Sequence, residues 1–115
     1  MKRGQVDGHL EREVHELHAG LCSALADPKR LMILYSLSES ARSVNDLSER
    51  LDLPQPTTSR HLKILRDRGL VAPQRLGVNV IYSLTDPRLI EALDLLRAVL
   101  RDIFDRRAAA VSQAE

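Results

Sequence analysis

The sequence predicts a mainly helical domain carrying one small β-hairpin. The expected order is four helices, the hairpin, and a long last helix. Three observations predict it. Apolar residues recur at helical spacing in five stretches. Proline or glycine, several times with a capping residue beside it, separates those stretches. Between residues 71 and 84 the helical period gives way to two short β-type runs around Gly77.

The first helix is expected over about residues 10–25, where Leu10, Val14, Leu17, Leu21 and Leu25 form one stripe. Asp27-Pro28 stops it and starts the second, because Asp caps a helix and Pro fits its first turn. That second helix carries Leu31, Ile33, Leu34 and Leu37 and ends near Ser38–Ser40. Ser43 caps a short third helix with Val44, Leu47 and Leu51, and Leu53-Pro54 breaks it. The fourth runs from Gln55 to Arg68 and closes at Gly69. Residues 71–76 and 80–84 are the two strands. Asp86-Pro87 repeats the cap-and-proline start, and the last helix is expected to reach about Arg107. Residues 1–9 and 108–115 are expected to be flexible ends of a single domain over residues 10–107.

Bulk composition agrees with one soluble domain. The chain has 115 residues, 43% hydrophobic and 29% charged, with only 3% aromatic, so the core must be aliphatic. A core this small makes help from a partner subunit unsurprising. The single cysteine, Cys22, excludes an intrachain disulfide. No apolar run approaches bilayer-spanning length, and the polar N-terminus does not read as a signal peptide, so a cytoplasmic location is expected.

Net charge is +1, but it is unevenly spread. Residues 1–53 carry 7 basic and 9 acidic groups, and residues 76–115 carry 5 and 6. Residues 54–75 hold Arg60, Lys63, Arg66, Arg68 and Arg75 against Asp67 alone. A basic stretch of this kind is either a phosphate-contacting element or a solvated charged face. Two short helices with a tight break suggest a helix-turn-helix, whose second helix enters the major groove. On a helical wheel Thr58, Leu62, Leu65 and Gly69 point inward, while Pro56, Ser59, Arg60, Lys63 and Asp67 point away. Ile64 fits neither side. Gln and Arg can read adenine and guanine edges, and Ser and Thr hydroxyls serve bases or phosphates. The candidate DNA-binding residues are therefore Gln55, Thr57, Ser59, Arg60, His61, Lys63 and Arg66, with Arg75 near the hairpin tip. The hairpin would be a wing.

These residues also carry a resemblance. Ala24 to Leu34 (ALADPKRLMIL) is similar to the ALADPTRLRIL signature of the ArsR/SmtB winged helix-turn-helix repressors. Gln55 to Leu65 (QPTTSRHLKIL), followed by Gly69-Leu70-Val71, resembles that family's recognition segment, and Gly77 with Tyr82-Ser83-Leu84 resembles its wing. The likeness covers about residues 10–105 and implies a homodimeric bacterial repressor that releases DNA on binding an inducer. It implies that Gln55, Ser59 and Arg60 face the major groove. Pro56 stands where many members carry Ser, which removes one polar contact.

The last helix is more apolar than one packing face requires. Leu89, Leu93, Leu96, Leu100 and Ile103 form a stripe widened by Ile90, Leu95, Val99 and Phe104, and a second subunit is the expected cover. The alternative is a helix packed wholly on its own core. A two-fold dimer implies an inverted-repeat operator in duplex DNA.

The inducer is not legible. The family's paired-cysteine site would fall on residues 41–47, where Ser43 and Asn45 replace both thiols, and residues 86–107 contain no histidine for the other. His15, His18 and Cys22 lie within about 60° of one another on a regular wheel and could bind Zn²⁺ or another soft ion, with Glu11 near. The plainer reading is two surface histidines and a small apolar Cys. Cys22 could instead be redox-active. No cofactor is required for the fold. Glycine-rich phosphate loops and nucleophile elbows are missing, which argues against an enzyme. The rival readings are a winged-helix protein-interaction module, disfavoured by the polar basic helix face, and an RNA binder, disfavoured by the scarcity of aromatics.

Overall fold

The computed structural model describes residues 7–114 and divides after Thr85 into two compact units. The expected flexibility of residues 1–6 and 115 lies outside the described residues.

In the first unit, α1 (Gly8–Leu17) starts two residues before the expected position, because the Asp7 side chain accepts from the His9 N–H. The helix does not continue regularly. His18–Cys22 forms a π-helical turn, closed by Ser23 N–H on the His18 carbonyl, and α2 (Ser23–Leu25) completes the run. Asp27 then caps α3 (Pro28–Glu39), accepting from the Lys29 and Arg30 N–H groups at 2.8 and 3.3 Å with Pro28 in the first turn. Ser43 caps α4 (Val44–Leu51) by accepting from Asp46 N–H at 3.1 Å. The fourth expected helix is α5 (Gln55–Asp67). It ends in a Schellman turn: Gly69 has φ +79°, its N–H reaches the Arg66 carbonyl, and Leu70 N–H reaches that of Leu65.

The hairpin is β2 (Val71–Leu76) and β3 (Asn79–Leu84), paired antiparallel from Val71↔Leu84 to Leu76↔Asn79. Asn79 belongs to β3, so the loop is Gly77-Val78 alone. Gly77 at φ +64° occupies the first central position, as a type II′ turn requires. A two-residue strand absent from the sequence reading, β1 (Arg42–Ser43), adds to β3 and gives the sheet order β1-β3-β2. Pro73 therefore sits on an edge strand, where its missing N–H is tolerated.

The core lies where α3, α4, α5 and the sheet meet. It is built from Ile33, Leu34, Leu37, Leu47, Leu62, Leu65, Leu70 and Val71, and is aliphatic as composition requires. Among the described residues Arg42 is the buried charge. Its guanidinium donates to the Ser36 carbonyl at 3.0 Å and pairs with Glu39 at 2.9 Å and Asp46 at 3.0 Å. The hydrogen bond from Arg42 leads the causes that hold Asp46 below the usual carboxylate range.

The second unit is α6 (Arg88–Ala114), started by Asp86, which accepts from Arg88 N–H at 2.9 Å. The Arg88 side chain, followed by that N–H, draws the Asp86 pKa down to about 2. The helix continues past Arg107 because Ala108-Ala109-Ala110 are the strongest helix formers. Along it Leu93 is buried, Leu89 and Ile103 are half-buried, and Leu96 and Leu100 are exposed, with Leu95, Val99 and Phe104.

Candidate nucleic-acid interface

Helices α4 and α5 are joined by Asp52-Leu53-Pro54. Asp52 adopts φ +52°, and Leu53 N–H caps the Ser48 carbonyl at 3.0 Å. A left-handed residue reverses the chain in the fewest steps, and Asp is among the side chains that accept that conformation. A part-buried hydroxyl pair then links the two helices: Ser48 Oγ lies 3.0 Å from Thr58 Oγ1, which in turn donates to the Pro54 carbonyl.

With Thr58, Leu62 and Leu65 buried, the opposite side of α5 is presented to solvent. Gln55, Ser59, Arg60, Lys63 and Arg66 are exposed, and Thr57 is half-buried. Arg60 leans on the Thr57 hydroxyl at 3.4 Å. Lys63 pairs with Asp67 at 3.1 Å, both well exposed. Arg66 and Arg75 meet across a cleft between α5 and the hairpin that Pro73, Val80 and Tyr82 also line. An adjoining cleft is lined by Ser59, Lys63, Arg66, Asp67 and Tyr82. Tyr82 belongs to the hairpin motif seen in the sequence, and its position in both clefts becomes visible only with the strand pairing.

His61 is placed differently from the other candidates. It is half-buried, with Nδ1 3.3 Å from Arg30 Nη1. Burial lowers its pKa below the ordinary histidine value; Asp27 opposes this, while Arg30, Lys29 and Arg60 reinforce it. Arg68 also turns from the polar side, donating to the Ala19 carbonyl in the π-turn. His61, Ile64 and Arg68 share one flank of α5, within about 60° on a 100° wheel. Ser59 and Arg66 occupy the other flank, beside the hairpin. That accounts for Ile64, which sits at the edge of the tethered flank nearest the polar face.

A helix-turn-helix with one polar basic side, a β-hairpin beside it, and a core drawn from α3, α4, α5 and the sheet invites comparison with known regulators. The profile of bacterial regulatory proteins of the arsR family matches residues 27–72. The chain is 36% identical over 92 residues to the HTH-type transcriptional regulator NmtR of Mycobacterium tuberculosis, covering 80% of this chain and 77% of NmtR. The chain belongs to the ArsR family. It is also 44% identical over 78 residues to the HTH-type transcriptional repressor SmtB of the same species; the match covers 68% of this chain and 58% of SmtB. Among solved structures, the homodimeric winged helix-turn-helix DNA-binding domain Mb0332 of Mycobacterium bovis superposes with a TM-score of 0.74 at 25% identity, covering 91% and 95% of the two chains. The fold is thus a mainly helical winged helix-turn-helix, and the family is one of regulators, not enzymes.

In this ArsR-family chain, the sensing candidates do not converge. Among the described residues no three His, Cys, Asp or Glu side chains are grouped so that they could hold a metal. His15 lies 4.0 Å from Glu11, both exposed, and Cys22 is exposed. The regular wheel fails here for a physical reason: the π-turn bonds i to i+5, which changes the rotation between His18 and Cys22. Ser43, at the paired-cysteine position, is committed to capping α4. Among the described residues no helix is long and apolar enough to cross a membrane.

Proposed function

We propose that the chain is a homodimeric transcriptional repressor that reads duplex DNA with α5 and grips the flanking backbone with its β-hairpin. The observation that carries this reading is the exposed row Ser59, Arg60 and Lys63 on the side of α5 opposite its buried residues, with Gln55 exposed at the helix start. Gln55 and Arg60 serve base edges, Thr57 and Ser59 serve bases or phosphates, and Lys63, Arg66 and Arg75 serve phosphates. The two-fold partner is proposed from the exposed Leu96, Leu100, Leu95 and Val99 of α6, with Leu89, Leu93 and Ile103 in the same stripe. The homodimeric state of Mb0332 supports it. The operator is then an inverted repeat with half-sites about one helical turn, roughly 10 bp or a multiple of it, apart.

The test is a mobility shift on DNA upstream of the chain's own gene, titrated with salt. Affinity should fall steeply with ionic strength. A salt-independent interaction, or none, would replace this reading with a protein-interaction role. Repeating the shift with Zn²⁺, arsenite or mild oxidant tests release, with Cys22→Ser asking whether the thiol takes part.

A further inference from the structure

We infer that Arg30 is a positioning residue for DNA reading: acting through His61, it seats α5 on the end of the first helical run. The inference rests on the proposed role of α5.

The side chain of Arg30 is 13% exposed and joins three elements. Its Nε donates to the Ala24 carbonyl at 2.7 Å, and Nη2 reaches the Ser23 carbonyl at 3.5 Å. Both carbonyls lie in the last turn of the run, where a helix runs out of donors of its own, and that of Ser23 also accepts from Ala26 N–H at 3.4 Å. Nη1 lies 3.7 Å from the Asp27 carboxylate that caps α3. The same Nη1 points at His61 Nδ1 on α5 at 3.3 Å. Arg68 repeats the connection two turns along, from the same flank of α5 to the Ala19 carbonyl. The reading helix is therefore tied twice to residues 19–24, on the side away from the hairpin. Neither tie uses a residue of the proposed DNA-facing row. A tilt about that flank would swing Ser59, Arg60 and Lys63 together, and placement errors of an ångström matter for bidentate contacts to bases.

The contact also fixes a protonation state. An arginine is always a donor, so His61 must accept at Nδ1 and carry its proton on Nε2. Protonated His61 has no lone pair to offer. The charged groups facing it are Asp27, Lys29 and Arg30 from the α3 side and Arg60 on α5; three are cations. Because burial and those cations outweigh Asp27, the neutral form is preferred in the fold, and acid breaks the tie.

The experiment uses the full chain and a fluorescein-labelled duplex selected from a random 30-bp library by the wild-type protein. Anisotropy gives Kd at pH 7.5 and 5.5 at fixed ionic strength, and circular dichroism confirms folding. Wild-type affinity should fall as pH drops. His61→Leu and Arg30→Met should bind about tenfold more weakly at pH 7.5, the order of a lost hydrogen bond to a charged group. Their dependence of log Kd on log salt should match wild type. His61→Gln, whose amide oxygen can accept from Arg30, should recover most of that loss and flatten the pH profile. Three results overturn the inference while leaving DNA reading intact: unchanged affinity in folded His61→Leu, a salt slope reduced by about one unit as for a lost phosphate contact, or wild-type binding that tightens in acid. A wild-type chain that captures no duplex overturns the reading underneath, and this inference with it.

Discussion

Asp67 is the acidic group among the five basic ones of residues 54–75, and it sits where it restrains Lys63, a cation proposed above to meet DNA. Its carboxylate holds Lys63 Nζ at 3.1 Å, one turn back along α5, beside the cleft that Ser59, Arg66 and Tyr82 line. Both side chains are more than half exposed, so the pair contributes little to stability and is readily exchanged for a phosphate. Asp67→Asn should free Lys63 and remove a repulsive charge without disturbing the fold. If each protomer gains one neutralised phosphate, log affinity falls more steeply with log salt by about 0.9 per protomer, or about 1.8 per dimer. Between 50 and 200 mM salt that slope makes the variant's advantage shrink by about twelvefold. Fluorescence anisotropy on a random-sequence duplex at three salt concentrations measures this directly. Adding Lys63→Ala to the variant should return the slope to its starting value. A slope unchanged both by Asp67→Asn and by Lys63→Ala alone would show that Lys63 does not meet phosphate, and the backbone-contact role of this face of α5 would have to be abandoned.

Arg60→Ala should weaken binding to a selected operator by about 1–3 kcal/mol while leaving non-specific binding much less affected; equal losses on both duplexes would demote Arg60 to a phosphate contact. Leu96 is 63% exposed in the single chain, so Leu96→Asp should leave the protomer folded but monomeric by sedimentation and unable to hold an inverted repeat; a variant that still sediments as a dimer removes α6 from the interface. Arg42→Met keeps the buried stem but strips the guanidinium from the Ser36 carbonyl, and should cost about 2–3 kcal/mol in urea unfolding. Glu39→Gln should cost far less because Glu39 is exposed, and equal effects would refute the buried carbonyl as the main partner.

The elements that sequence reading located are those specified by neighbours in the chain. Asp27-Pro28, Ser43 and Gly69 fix helix ends within a turn, and each occupies the capping position expected of it. The strand over Arg42–Ser43 was invisible because two residues carry no period, and only β3, some forty positions later, makes them a strand. Arg42 was missed for a related reason: arginine reads as surface until its partners are known. The wheel that grouped His15, His18 and Cys22 assumed a uniform rotation, and nothing in Leu17-His18-Ala19-Gly20 announces the π-turn that changes it. For α5 the same wheel served well over three turns, but His61 stands about 60° from the buried axis. At that boundary a side chain goes to whichever neighbour offers a partner, and Arg30 arrives from a helix thirty residues earlier.

The arginines divide by what holds them. Arg30, Arg42 and Arg68 donate to carbonyls of their own chain, and Arg50 and Arg88 pair with nearby carboxylates. Arg60 has only a long contact to a neighbouring hydroxyl, and Arg66 and Arg75 line the cleft between α5 and the hairpin. An arginine satisfied by backbone carbonyls would have to break those bonds to meet a phosphate, whereas one facing water exchanges only hydration. The basic stretch of residues 54–75 therefore overstates the DNA-facing charge: Arg68 belongs to the folding set, and Lys63 is half-cancelled by Asp67. What remains is Arg60 on the open face and Arg66 with Arg75 at the clefts, the small set that the proposed reading lays along one DNA backbone between helix and wing. That economy explains how a chain with a net charge of +1 can still be specialised for a polyanion, because affinity depends on which cations are left without partners of their own and not on how many the sequence contains.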